Sequence, residues 1–327
     1  MSQMSFCTNY VYFISSQMGS VINCVGDNPD PAAYPDWTTA CAMSENVKKE
    51  VNLWVWFLPS LLVIFSPLVF VRDMEKLAWS HLLADFIILT VVAGVFAFSG
   101  MKIHDQGGFK ISELSLATNV FFKAIPYSAF AFEGVAVVLP LREIVEDKDN
   151  FFKVVCFVVS GICIFYIFFA EWTNWVYGDR DYELITDVLP AQNPATYTLK
   201  AMYTVNLFFS YPMQLSPAVN LIESYIFNAK DAPTKKRYWM QNLVRTGIVL
   251  FTIALAILIY PKISLFIEVL AASTCSPLAF TLPAFFHWKL VKKHWTSMAI
   301  VICTCALTVF MIVSAVIELI KSFSEEE

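Results

Sequence analysis

The 327 residues are 57% hydrophobic, 16% aromatic and only 15% charged, with a mean hydropathy of +0.60. A soluble domain carries about 25% charged residues and hides a minority of its length in a core, so this composition belongs in lipid. The 22 basic against 27 acidic residues, a net charge of −5, exclude nucleic-acid binding, and collagen-like, disulfide-scaffold and disordered classes fail on the same figures.

A helix needs roughly 20 apolar residues to cross a bilayer core. Nine stretches meet this: Met4–Ile22, Val51–Val71, Leu77–Gly100, Asn119–Leu141, Phe151–Tyr177, Tyr197–Phe227, Gln241–Tyr260, Lys262–His287 and Ser297–Ile320. None alternates with period 2, and backbone groups in lipid must bond within their own segment, so the expected fold is an all-α polytopic bundle. The first stretch has neither a basic flank nor a small-residue cleavage site and reads as a retained helix.

Lysines and arginines set the orientation. Arg72, Lys76, Arg142, Lys148, Lys153, Lys230, Lys235, Lys236, Arg237, Lys289, Lys292 and Lys293 flank alternate connections on one side. By the positive-inside rule that side is the cytoplasm or the mitochondrial matrix, with the N-terminus inside and the acidic Glu325–Glu327 tail outside after nine crossings. The longest outer connection, 23–50, carries Cys24 and Cys41, which fit either a bridge or two free thiols. The other six cysteines lack ligand spacing, and no two histidines stand i,i+4, so no metal site is expected. No Asn-x-Ser/Thr sequon occurs, which leans toward an organelle outside the secretory route.

Charges and prolines within spans are the candidates for function. Glu133 sits mid-way along the fourth stretch beside Phe132 and Gly134, between Pro126 and Pro140, the pattern of a discontinuous helix. A kinked helix with a paired carboxylate would read the same way. The sixth stretch holds Pro212, Gln214, Pro217, Asn220 and Glu223, which suit ligand binding or interhelical hydrogen bonding. Ser273, Thr274, Ser276 and Pro277 form a small-residue patch read as close helix packing. Asp85, Glu171, Glu268 and Glu318 also lie in or near spans, and Arg245, more than one turn into its helix, calls for a carboxylate or carbonyl partner. No triad, phosphate loop or dinucleotide fingerprint is present, so no enzyme activity and no cofactor is expected.

Three ordered segments resemble the amino acid/auxin permease family, and within it the proton-coupled amino acid transporters. Ala124-Ile125-Pro126-Tyr127 through Phe130-Ala131-Phe132-Glu133-Gly134 to Val138-Leu139-Pro140-Leu141 is similar to that family's sixth helix. Phe208-Phe209-Ser210-Tyr211-Pro212-Met213-Gln214-Leu215-Ser216-Pro217-Ala218 resembles its eighth, and Ser276-Pro277-Leu278-Ala279-Phe280 with Leu282-Pro283-Ala284-Phe285-Phe286-His287 its tenth. The resemblance implies the leucine-transporter fold, two inverted five-helix repeats plus a further helix, with substrate held between two broken helices. It places Phe132, Glu133, Gly134 and Gln214 at the substrate site and Pro126, Gly134, Pro212, Pro217 and Pro277 at helix breaks or hinges. Ala271 stands where the family tends to have glycine.

In this alignment Met4–Ile22 becomes the family's third helix. The expected organisation is then a remnant first repeat at 1–118, a complete second repeat at 119–287, and a final helix with an acidic tail at 288–327. Without counterparts of the first two helices, the leading expectation is a degenerate, non-transporting accessory subunit of a larger complex, in the inner mitochondrial membrane. Other subunits, or lipids, would then fill the vacated space. The competing expectation is a proton-coupled transporter of small neutral amino acids. A lipid-binding scaffold is a third reading.

Overall fold

The computed structural model describes residues 2–26, 51–72, 74–105, 118–132, 134, 138, 142, 145–178, 184–190, 193–227, 234–259, 263–290 and 295–324. Among these the regular structure is helical. The helices are α1 (Ser2–Gly26), α2 (Val51–Val69), α3 (Met74–Asp105), α4 (Thr118–Ala131) and α5 (Lys148–Tyr177). After a short 3₁₀ turn at Ile185–Val188 come α6 (Pro194–Ile226), α7 (Lys235–Ile259), α8 (Ile263–Leu290) and α9 (Trp295–Ser324). Parts of α3, α5, α7, α8 and α9 are each long and apolar enough to cross a membrane. The protein is therefore an all-α polytopic membrane protein.

Local chemistry sets several helix ends. Asp147 precedes α5 and accepts the backbone N–H of Asn150 at 3.1 Å, filling one of the orphan donors of the first turn. Gly178 follows the last residue of α5 at φ 72°, the left-handed conformation that glycine adopts without a Cβ clash. Asn193 caps α6 by accepting from the Ala195 N–H at 3.0 Å, and Pro194 fills the first helical position, where its missing N–H costs nothing.

The chain forms two compact units. The first comprises Gln3–Lys110 and Val176–Pro261. Its core draws Cys7, Val11 and Ile14 from α1, Leu61, Phe65 and Val69 from α2, Tyr211, Leu215 and Val219 from α6, and Val249, Ile253 and Ala256 from α7. The Phe65 and Tyr211 rings stack at 4.0 Å between centroids, and the Tyr211 hydroxyl is 2.8 Å from that of Thr252, which satisfies a polar tip that would otherwise be buried alone. Helix α3 packs along α6, and Gly94 makes room for it: a Cβ there would lie 2.5 Å from Cδ1 of Leu199.

The second unit comprises Ile111–Trp175 and Lys262–Glu327. One cluster of its core joins Ala129 of α4, Ala272 of α8 and Met311 and Ala315 of α9, with Ile125 and Val269 against them. Alanines at such a seam let helix backbones approach closely, the usual solution where lipid offers no hydrophobic drive to associate. Helix α5 contrasts with this. Phe152, Val154, Phe157, Ile164 and Ile167 are all exposed, an apolar surface all round that suits a helix bathed in hydrocarbon.

Candidate functional site

Within the second unit, α4 ends at Ala131, one residue before the expected Phe132-Glu133-Gly134 break. The Phe132 N–H still reaches the Ser128 carbonyl at 3.1 Å, and the Val138 N–H donates to the Gly134 carbonyl at 3.1 Å, a helical bond beyond the interruption. Phe132 is exposed, its ring 5.6 Å from that of Tyr166. Glu133, Leu139 and Pro140 lie outside the described residues, as does Cys41, and with it the pairing considered for Cys24. Pro126 is buried within α4, and the neighbouring Tyr127 hydroxyl donates to the Ser264 carbonyl of α8 at 3.0 Å.

Opposite this end of α4, α8 widens. The Ser276 N–H bonds to the Ala271 carbonyl and the Leu282 N–H to that of Pro277, so two turns, Ala271–Cys275 and Pro277–Thr281, follow π and not α geometry. Such π turns recur at functional sites in helical proteins. Of the patch read as close packing, Ser276 is buried, Thr274 and Pro277 are half-buried and Ser273 is exposed; the tight contacts come instead from the neighbouring Ala271, Ala272 and Cys275, all buried. Hydroxyls hold the widened stretch to α9: Thr308 stands 3.1 Å from Ser276 and 2.9 Å from Thr281.

In the first unit, Gln214 lies partly buried in α6, next to the fully buried Leu215. Pro212 and Pro217 sit inside α6, which runs unbroken through them, so the carbonyls of Phe208 and Met213 lose their helical donors without the helix ending. The partner expected for Arg245 is present twice over. Its guanidinium binds both Glu223 oxygens and, through Nη1, the Val69 carbonyl at the end of α2, at 2.7 Å. Arg72 extends the cluster, 3.3 Å from Asn242 Oδ1 and over the Tyr238 ring at 4.4 Å.

A second polar cluster ties the 3₁₀ turn to the helices. Lys200 Nζ pairs with Asp187 Oδ1 at 3.0 Å, Gln17 Nε2 donates to the same oxygen at 3.2 Å, and the Thr186 hydroxyl donates to Gln17 Oε1 at 3.0 Å. Sequence reasoning did not single out this group. The available signal was Lys200, a cation inside an apolar stretch, with Asp187 upstream in the preceding connection.

The chain matches the model of the transmembrane amino acid transporter protein family over residues 1–324. It is 23% identical over 295 residues to Vacuolar amino acid transporter 3 of Schizosaccharomyces pombe, an alignment covering 90% of this chain and 41% of that protein. It is 26% identical over 316 residues to Amino acid transporter AVT3C of Arabidopsis thaliana, covering 94% and 68%. With Vacuolar amino acid transporter 4 of Saccharomyces cerevisiae it shares 25% identity over 250 residues, 69% of this chain and 35% of that one. The chain thus spans less than half the length of these two fungal relatives. A match that runs through nearly every residue leaves one conclusion: this chain belongs to the transmembrane amino acid transporter family.

Proposed function

We propose that this protein carries amino acids across a membrane, coupled to protons, with small neutral amino acids as its substrates. The observation that carries this reading is the family match over residues 1–324, to which the relatives' names add amino acid transport and, for the fungal ones, the vacuole. A vacuole-type membrane fits proton coupling. Phe132, Glu133, Gly134 and Gln214 are the residues we assign to substrate, with Gly134 just past the end of α4 and Pro126, Pro212, Pro217 and Pro277 as hinges inside helices that continue through them. A non-transporting accessory subunit of a mitochondrial inner-membrane complex draws no support from relatives named as transporters.

The test is uptake by proteoliposomes holding the purified full chain under an imposed pH gradient. Accumulation of labelled L-alanine that collapses with a protonophore supports the reading. No gradient-dependent uptake of any common L-amino acid would sink it.

A further inference from the structure

Helix α1 contains no charged residue from Ser2 to Gly26, yet is rich in amides and hydroxyls. Most of its polar side chains are provided for. Thr8 donates to the Met4 carbonyl at 3.0 Å, Ser15 to that of Val11 at 2.8 Å, and Gln17 is held by Thr186 and Asp187. Asn9 is different. It is 1% exposed, and neither its amide oxygen nor its amide nitrogen meets a hydrogen-bond partner among the described residues, a state shared on α1 only by Gln3 Oε1 in the first turn.

Burying an amide without a partner is costly, and a group kept buried at such cost calls for a partner that the described residues do not supply. Successive spacings of four, three and four residues place Ser5, Asn9, Tyr12 and Ser16 along one helix face. The apolar face of α1, with Cys7, Val11 and Ile14, is the one sunk in the core of the first unit. Asn9 lies on the opposite side of the helix from that face and is just as deeply buried.

We propose that Asn9 binds the transported amino acid directly. An amide offers an acceptor to an ammonium and two donors to a carboxylate, so it can bind both ends of a zwitterion. Because α1 brings no charge, it favours a substrate with none in its side chain, and Asn9 becomes a determinant of selectivity for net-neutral amino acids. This rests on the transport reading above and deepens it.

The experiment uses the full chain in proteoliposomes, with labelled L-alanine and L-arginine as probes. In Asn9→Leu, the KM for L-alanine rises at least about tenfold, as for sites whose buried polar group has lost its ligand partner. The melting temperature of the substrate-free protein holds or rises, because an unpaired amide has been replaced by an apolar group, and stabilisation by L-alanine disappears. In Asn9→Asp, selectivity shifts from L-alanine toward L-arginine. A KM for Asn9→Leu within about twofold of the parent overturns the proposal, as does a lower melting temperature of the substrate-free variant, which would make Asn9 a structural amide. A parent protein that transports nothing would instead overturn the transport reading, and this inference with it.

Discussion

Arg245 grips Glu223 with two near-parallel hydrogen bonds, Nε to Oε1 at 2.6 Å and Nη2 to Oε2 at 3.2 Å, while its remaining nitrogen caps the last turn of α2 at Val69. Three helices of the first unit meet in that one guanidinium. Both side chains are nearly buried, at 5% and 11% exposure, so the pair is shielded from screening and its loss leaves a stranded charge. Arg245→Met is expected to cost about 3–5 kcal/mol, seen as a lowered unfolding midpoint in detergent. Arg245→Lys recovers little, since an ammonium cannot reproduce the fork. The double variant Arg245→Met with Glu223→Leu is expected to be more stable than Arg245→Met alone. If it is not, the pair is not what joins these helices.

Lys200 and Asp187 make the corresponding bond at the other cluster, where Gln17 shares the Asp187 oxygen. Lys200→Met removes the cation and leaves the carboxylate with the Gln17 amide. The 3₁₀ turn Ile185–Val188 should then loosen from α1 and α6, and limited proteolysis within 184–190 should speed up, while high salt leaves the parent protein unchanged because Lys200 is buried. Cleavage at the parental rate would show that the buried Thr186 and Val188 suffice to seat the turn.

How much of this was legible in the sequence differs from helix to helix. Those with exposed apolar flanks announced themselves: α5 reads as a span because its outward residues, such as Phe152, Phe157 and Ile164, are apolar on every side. Helices α1 and α6 are harder, because neighbouring protein covers Asn9, Gln17, Thr204 and Asn206, and burial by protein tolerates a polarity that hydrocarbon does not. The residue pattern around Glu133 and Gly134 pointed to a discontinuity near the place where α4 ends at Ala131, whereas the widened turns of α8 had no signature in the sequence. The partner of Arg245 could be anticipated as a type of group but not as a residue, since Glu223 lies on another helix and only packing brings it near. The cluster of Gln17, Thr186, Asp187 and Lys200 is non-local in the same way, with Gln17 far upstream of the other three.

Asp147 gives a pH-dependent prediction outside the spans. Its carboxyl is held below its ordinary 3.8 chiefly by the Asn150 side chain, whose Nδ2 is 2.8 Å away, and then by the Asn150 backbone N–H. A depressed folded-state pKa means the cap's contribution is complete above the unfolded value and lost as pH falls through the lower, folded one. The start of α5 should therefore stay capped at mildly acidic pH and fray only in stronger acid. The amide resonance of ¹⁵N-labelled Asn150 should report a midpoint under 3.8, and Asp147→Asn should abolish the titration. A midpoint at or above the ordinary value would mean the cap does not form.

The seam between α4 and α8 is built on absent side chains, and that makes it sensitive to volume. Ala272 is 1% exposed and meets Ala129 in a core with Met311 and Ala315, so the leucine of Ala272→Leu has nowhere to go without moving a helix. Overpacking of this kind costs typically about 1–3 kcal/mol. Ser273, the next residue in the same π turn, is exposed, so Ser273→Leu adds a similar bulk where no packed side chain opposes it and should leave stability within about 0.5 kcal/mol of the parent. The pair separates two roles for the widened turn. If α4 and α8 must slide on each other during a transport cycle, Ala272→Leu lowers the maximal uptake rate far more than its modest loss of stability accounts for, and Ser273→Leu leaves uptake alone. Uptake by Ala272→Leu that falls only in proportion to the folded fraction would instead make the seam a static joint.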